Sequence, residues 1–124
     1  MSNFDIAKNI YATGAPALMA ALSPDVDWTE TAGFPYGGRY RGVEQVIANV
    51  FARIGADWDG FRADAANIYD AGETVIATGF YRATSKATNR QVEAAFAHVL
   101  TFHEGKIVRF EQIADSKTFR DAMA

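Results

Sequence analysis

The chain of 124 residues contains no cysteine. The absence of thiols excludes disulfide bonds, thiolate metal sites and a cysteine nucleophile, and it fits a reducing compartment. A chain of this length forms one domain with a single sizeable core, and we assign residues 1–124 to that domain.

Basic clusters and long apolar runs are missing as well. The formal net charge is −3, so the chain has no electrostatic footprint for nucleic acid. The N-terminus lacks the basic start and apolar stretch of a signal peptide, and no apolar run approaches the length of a membrane span. We therefore expect a cytoplasmic protein without a nucleic-acid or membrane partner.

The stretch from Gln91 to Asp115 predicts two long strands joined by a tight turn at Glu104-Gly105. Successive side chains of a strand point to opposite faces of the sheet. On the core face of the first strand, His98 is the only polar residue. Its neighbours on that face are Val92, Ala94, Phe96, Leu100 and Phe102. The return strand, Ile107 to Ile113, has Val108, Phe110 and Gln112 on one face.

An earlier strand, Val26 to Thr31, repeats this pattern with Glu30 on the face of Val26 and Trp28. Burying an unpaired polar group costs roughly 1–3 kcal/mol, and a packed core does not need one. We therefore interpret the faces that carry Glu30, His98 and Gln112 as walls of a cavity.

Three helices are predicted before the long strands. A capping box at Ser2 and Asp5 starts the first, and Pro16 suits the first turn of the second. Apolar residues at helical spacing predict a third helix over residues 43–54, ended by Gly55. The segment Gly33 to Gly42, rich in glycine and aromatic residues, is expected to be a loop at the rim or lid of the cavity.

The order of elements predicts an α+β domain in which a strongly curved, antiparallel or mixed sheet wraps around about three N-terminal helices. Such a sheet forms a cone and leaves an apolar pocket between itself and the helices.

Three segments resemble the SnoaL-like polyketide cyclase group of the nuclear transport factor 2-like and ketosteroid isomerase-like superfamily. They are residues 22–28 (LSPDVDW), 40–46 (YRGVEQV) and 96–115 (FAHVLTFHEGKIVRFEQIAD). The resemblance covers nearly the whole chain and implies a cone-shaped sheet around an apolar pocket, commonly in a dimer. It specifies the fold better than the function, because this fold hosts isomerases, cyclases, epoxide hydrolases, dehydratases, binding proteins and dimerisation modules.

The resemblance also implies roles for single residues. Glu30 falls near the general-base aspartate of the similar ketosteroid isomerases. His98 falls where those enzymes place an oxyanion-stabilising acid and where SnoaL-like cyclases often carry a histidine. Gln112 stands in place of the cyclases' acid/base aspartate. The isomerases' tyrosine on the first helix falls near residues 6–7, one turn before Tyr11.

Glu30 and His98 are the candidate catalytic pair. A carboxyl in an apolar pocket has a raised pKa, which suits a general base, and a neutral imidazole can polarise a carbonyl or stabilise an enolate. The alternative is that Glu30 lies at the wet mouth of the cavity and His98 is a hydrogen-bonded core histidine.

Several other side chains are candidates for ligand contact, namely Trp28, Tyr36, Tyr40, Phe96, Phe110 and Gln112. Tyr11 and Asp115 are further candidates, although Asp115 also suits a helix cap. His98 and His103 point to opposite faces of one strand, so we predict no metal site. The glycines of residues 33–42 lack phosphate-loop spacing, and we expect no cofactor.

Two functions remain open from the sequence. The first is a cofactor-free isomerase or aldol-type cyclase that moves a proton on a small apolar carbonyl compound. The second is a non-catalytic binder of an apolar metabolite or a dimerisation module. In both cases the outer sheet face, with its small residues Ala95, Ala97 and Val99, is expected to form a homodimer.

Overall fold

The computed structural model describes residues 1–124. Its helices are α1 (Asn3–Thr13), α2 (Ala15–Ala21), α3 (Val43–Val46), α4 (Ala52–Asp57) and α5 (Ser116–Met123), with a π-helical turn at Ile47–Phe51. Its strands are β1 (Leu22–Glu30), β2 (Gly38–Arg41), β3 (Trp58–Ala71), β4 (Thr74–Ser85), β5 (Gln91–His103) and β6 (Lys106–Ala114). Neither the length nor the apolar character of any helix is sufficient for a membrane span.

The six strands form one sheet in the order β2-β1-β6-β5-β4-β3. Strands β3 to β6 are an antiparallel meander, and β1 lies parallel to β6. The predicted α+β class with a curved, mixed sheet is confirmed. The sheet keeps two free edges, β2 and β3, so the curvature does not close it into a barrel.

The predicted core face of β5 is confirmed, because every second residue from Val92 to Phe102 is buried. The face predicted for β6 needs one correction. The pairing of β5 with β6 shifts between Thr101 and Phe102, which leaves Val108 in a bulge. Ile107 is therefore fully buried and Val108 only half-buried, whereas Phe110 and Gln112 face the core as predicted.

The capping box of α1 is present, since the Ser2 hydroxyl accepts a bond from the Asp5 amide and the Asp5 carboxylate accepts one from the Ser2 amide. The third predicted helix continues past Gly55 to Asp57. Its middle is the π-helical turn, and the residues buried along it, Val46, Val50 and Ile54, recur every four positions. A wider turn keeps that spacing on one face.

The segment 33–42 is not a loop throughout, because β2 occupies its last part and pairs with β1. Nor does it form a lid of mobile aromatic residues. Phe34 and Tyr36 are 2% and 1% exposed, and the Phe34 ring packs on Phe119 of α5 with centroids 4.6 Å apart. Burial of these two large rings stabilises this segment more than exposure at a rim would.

Curvature of the sheet has a local cause at Gly79. The pairing of β3 with β4 shifts between Ala65 and Asn67, and this bulge bends β3 over β4. A Cβ atom on Gly79 would lie 2.0 Å from the carbonyl oxygen of Asp64. Glycine therefore permits the close approach of the two backbones that curves the sheet around the helices.

Candidate functional site

A cavity of about 700 Å³ lies between the concave face of the sheet and the helices, and we call it the central cavity. Most of its lining is apolar. The lining residues that are exposed to solvent lie at 12–15, 55, 60 and 62, so the cavity opens between the α1–α2 turn, α4 and β3.

Aromatic rings form much of the wall. Trp28 of β1 and Phe110 of β6 are opposite each other in neighbouring strands, and their rings stack with centroids 3.9 Å apart. Phe51, in the π-helical turn, meets Trp28 edge-on at 5.8 Å. Aromatic faces of this kind can stack on a flat, mostly apolar group.

Four polar side chains form a hydrogen-bonded chain along one side of the central cavity. The His98 imidazole lies between two tyrosines, with Nδ1 2.7 Å from the Tyr11 hydroxyl and Nε2 2.5 Å from the Tyr81 hydroxyl. Gln112 Nε2 donates to the Tyr81 hydroxyl at 3.2 Å. Gln112 Oε1 accepts the backbone N–H of Thr31 at 3.0 Å. Adjacent strands β4, β5 and β6 thus hold Tyr81, His98 and Gln112 in contact.

Burial keeps this chain uncharged. Desolvation lowers the pKa of His98 to about 3, so the imidazole is neutral at physiological pH. Desolvation also raises the pKa of Tyr11 and of Tyr81 above the ordinary value for tyrosine. Both imidazole nitrogens are occupied by tyrosine hydroxyls, so neither ring nitrogen of His98 is free to bond another group.

Glu30 supplies the carboxyl of the central cavity. Its side chain is 4% exposed, and its Oε2 accepts the indole N–H of Trp28 at 3.0 Å. The other oxygen, Oε1, has no hydrogen-bond partner in the protein, so it is not fully buried. Because Glu30 lines the central cavity, the accessible oxygen is on the cavity side. No cation pairs with this carboxyl, and burial raises its pKa to about 8.

The structure brings together six of the residues singled out in the sequence. These residues line the central cavity: Tyr11, Trp28, Glu30, His98, Phe110 and Gln112. Glu30 is not at a wet mouth, and His98 is hydrogen-bonded at both nitrogens but still lies at the cavity wall.

Four other candidates lie outside the lining of the central cavity. The Tyr36 hydroxyl donates to Asp57 at 2.7 Å, and the Tyr40 hydroxyl donates to the Tyr36 carbonyl at 2.8 Å. Phe96 packs behind the site, stacked on His98 at 4.2 Å. Asp115 caps α5 by accepting the Thr118 amide, as its alternative interpretation predicted.

Tyr81 was not among the residues predicted from the sequence to line the site. Its signal lies in the alternation of β4, whose core face is Val75, Ala77, Gly79, Tyr81 and Ala83. Tyr81 is the single large and polar side chain on a face of small residues. The small residues match large partners on β5, since Gly79 pairs with Phe96 and Ala77 pairs with His98. Register between the strands, which periodicity alone does not fix, brings Tyr81 to the imidazole.

The central cavity therefore offers two kinds of chemistry at its surface. Glu30 Oε1 can accept or return a proton, and the Tyr11 hydroxyl can bond a ligand oxygen. Tyr81 interacts with both groups. Its hydroxyl bonds His98, which in turn bonds Tyr11, and the charge of a nearby ionised Glu30 is one cause of its raised pKa.

We expect the free energy of unfolding to fall as the pH rises from about 6.5 to about 8. The folded Glu30, with a pKa near 8, keeps its proton where the unfolded carboxyl, with an ordinary pKa of 4.5, has lost it. Stability then declines by roughly 1 kcal/mol per pH unit. His98 acts oppositely below pH 6.5, where the unfolded imidazole binds a proton that the folded one does not.

Urea unfolding at pH 6.5 and pH 8 measures this decline. Glu30→Gln is expected to abolish it, whereas Glu44→Gln, which alters an exposed carboxylate, should decline as the wild type does. Parallel declines in the wild type and Glu30→Gln would contradict the assignment.

The fold and the cavity define a class, the nuclear transport factor 2-like proteins. Such a protein from Burkholderia thailandensis superposes with a TM-score of 0.93 and 38% sequence identity over 100% of this chain and 98% of its own. Another, of unknown function, from Burkholderia pseudomallei gives a TM-score of 0.88 and 27% identity over 100% and 99%. A putative polyketide cyclase from Pseudomonas putida, 19% identical, shares the fold with a TM-score of 0.80 over 100% and 99%.

The family profile of the SnoaL-like domain matches residues 9–110. The chain therefore belongs to the SnoaL-like domain family, which confirms the resemblance carried by residues 22–28, 40–46 and 96–115. Among curated proteins, a search by sequence finds no match to this chain.

Proposed function

We propose that the protein is a cofactor-free proton-transfer enzyme, an isomerase or aldol-type cyclase, that acts on a small and mostly apolar carbonyl compound. One observation carries the proposal: Glu30 Oε1, without a partner in the protein, and the Tyr11 hydroxyl, bonded to neutral His98, face the same apolar cavity. A base and an oxyanion donor in an apolar cavity are the two groups that enolate chemistry needs.

In the proposed reaction the ionised Glu30 takes a proton from the carbon next to the carbonyl. The Tyr11 hydroxyl donates a hydrogen bond to the oxygen, on which negative charge develops. The enolate then takes the proton back from Glu30 at another carbon, which is isomerisation. Alternatively, its carbon attacks a second carbonyl and the new alkoxide takes the proton from Glu30, which is aldol cyclisation. His98 acts through Tyr11 in this scheme and does not contact the ligand oxygen.

Deuterium exchange into a panel of cyclic ketones and diketones, followed by NMR, tests the proposal. We expect the protein to accelerate loss of the signals of the protons next to the carbonyl, and Glu30→Gln to abolish the acceleration. Exchange at the same rate in both proteins would refute Glu30 as the base.

Binding without turnover is the second candidate function. It is favoured by Gln112, which occupies the place of the cyclases' acid/base aspartate and bonds Tyr81 and Thr31 instead of a ligand. Selective line broadening of panel compounds without any exchange would support this candidate over the enzyme.

We further propose that the protein forms a homodimer through the outer face of the sheet. Large apolar side chains are exposed on that face, with Tyr69, Phe80 and Ile113 at 53%, 38% and 50%. Strand register joins them into one patch on β3 to β6, the outer-face patch: Tyr69, Ile76, Phe80, Ala95, Ala97, Val99 and Ile113. At its edge Arg82 bonds Asp64 and Glu93. An apolar centre with a polar rim suits a two-fold interface between identical copies.

Sedimentation equilibrium tests the dimer. We expect Ile113→Lys to convert it to a monomer, because the change buries an unpaired charge in the interface. Ile47→Lys is the matched control, since Ile47 is 45% exposed on the helical side and should leave the dimer intact. A wild-type protein that sediments as a monomer would refute the interface.

A further inference from the structure

Gln112 fixes which group donates and which accepts at each step of the hydrogen-bonded chain beside the central cavity. A backbone N–H can only donate, so Gln112 Oε1 faces the amide of Thr31 and Gln112 Nε2 must donate to Tyr81. The Tyr81 hydroxyl is left with one hydrogen, and the acceptor within bonding distance is His98 Nε2.

The tautomer of His98 follows from these donors and acceptors. A neutral imidazole has one donor and one acceptor nitrogen. If Nε2 accepts from Tyr81, then Nδ1 carries the hydrogen and donates to the Tyr11 oxygen. The opposite arrangement would leave the hydroxyl hydrogen of Tyr81 without an acceptor, and Tyr81 is only 4% exposed. A buried unpaired donor costs roughly 1–3 kcal/mol. The hydrogen of the half-buried Tyr11 therefore points into the cavity.

The hydrogen bond from Trp28 likewise determines which oxygen of a protonated Glu30 carries the hydrogen. The Trp28 indole N–H donates to Oε2, so a protonated Glu30 carries its hydrogen on the other oxygen, Oε1, which faces the cavity. The carboxyl is buried and has no cationic partner, and its pKa of about 8 keeps it protonated at neutral pH.

The elements packed around Glu30 present no unpaired charge that would favour its ionised form. Tyr11 on α1, Tyr81 on β4 and His98 on β5 are neutral, and the helical segment between β2 and β3 contributes Val50, Phe51, Ile54 and Gly55 to the lining. On β3, at the cavity opening, Arg62 and Asp64 bond each other at 2.8 Å.

We infer that the central cavity is a two-donor site that selects neutral ligands with two hydrogen-bond acceptors, such as dicarbonyl compounds or quinones. The two donors are Tyr11 Oη and Glu30 Oε1. A ligand with one carbonyl would leave one of them unpaired, and a donor that the ligand covers without bonding it lowers affinity. The inference deepens the proposed function by naming the ligand class, and it rests on that function only in treating the cavity as the ligand site.

Calorimetric titration with 1,4-naphthoquinone and 1-tetralone, probes of similar size with two acceptors and one, tests the inference. At about pH 6.5 we expect the quinone to bind the wild type about tenfold more tightly than the ketone. At about pH 9 the ionised Glu30 becomes an acceptor, and the preference should disappear. The chain has no cysteine that the quinone could alkylate.

Glu30→Gln separates this inference from the proposed reaction. Its amide accepts from Trp28 through oxygen and presents N–H to the cavity, so the variant should keep the tenfold preference at both pH values although it has lost the base. Tyr11→Phe should reduce the preference at pH 6.5. The inference is overturned if the wild type shows no preference, if its preference is unchanged at pH 9, if Glu30→Gln loses it at pH 9, or if neither probe binds.

Discussion

Glu30→Gln is expected to slow proton exchange at a carbonyl ligand by about 10²–10⁴-fold, the usual contribution of a general base. The amide keeps the size of the carboxyl and its bond from Trp28, so packing should change little, as should ligand affinity at a pH where Glu30 is protonated. What it removes is the ability of the cavity-facing oxygen to hold a proton. Ligand-observed NMR in deuterated buffer measures the rate, and Glu44→Gln is the control for loss of an exposed carboxylate.

The pH dependence of the wild-type exchange rate is a second test of Glu30 as the base. Because burial raises the pKa of Glu30 to about 8, only the minor ionised fraction acts as the base at neutral pH. The rate should therefore rise about tenfold per pH unit below pH 8 and become constant above it. A rate that does not change with pH between 6 and 9 would contradict Glu30 as the base.

Tyr11→Phe is expected to reduce the same rate by about 10²–10³-fold, the cost of removing one preorganised oxyanion donor. The phenyl ring keeps the stacking of Tyr11 on Phe96 and His98. Removal of the hydroxyl takes away the group that meets the developing charge and leaves His98 Nδ1 without its partner.

Tyr40→Phe is the matched control for Tyr11→Phe. It deletes a hydroxyl that bonds the Tyr36 carbonyl outside the central cavity, so the exchange rate should stay at the wild-type value. If Tyr11→Phe exchanged protons as fast as Tyr40→Phe, the oxyanion donor would have to be a different group.

Periodicity determined the faces of β5 and of residues 26–30 of β1 correctly, because every second residue there is buried. Glu30, His98 and Gln112 could be singled out as polar residues on apolar faces, and all three line the central cavity. Periodicity failed for Val108, where the bulge in β6 shifts the alternation by one residue. It also failed for Tyr36 and Tyr40, since a segment rich in glycine and aromatic residues has no period from which burial could be predicted.

The partners of the polar residues could not be predicted for a different reason. Tyr11 lies 87 positions from His98 along the chain, and Tyr81 lies 31 positions from Gln112. These contacts depend on strand register and on the angle at which α1 crosses the sheet, and both are set by the packing of the whole core. The sequence pattern therefore did not predict that both ring nitrogens of His98 bond tyrosine hydroxyls.

Alternation, caps and turns are local properties of the chain, so the class of fold, most strand faces and the three polar residues on apolar faces could be predicted without coordinates. Three other facts required the folded molecule: which candidate residues share a cavity, which nitrogen of His98 faces which tyrosine, and that Glu30 has no cationic partner. Those facts depend on atoms brought together from distant segments, and the desolvation that shifts the pKa of Glu30 and His98 exists only once the sheet has closed over the helices.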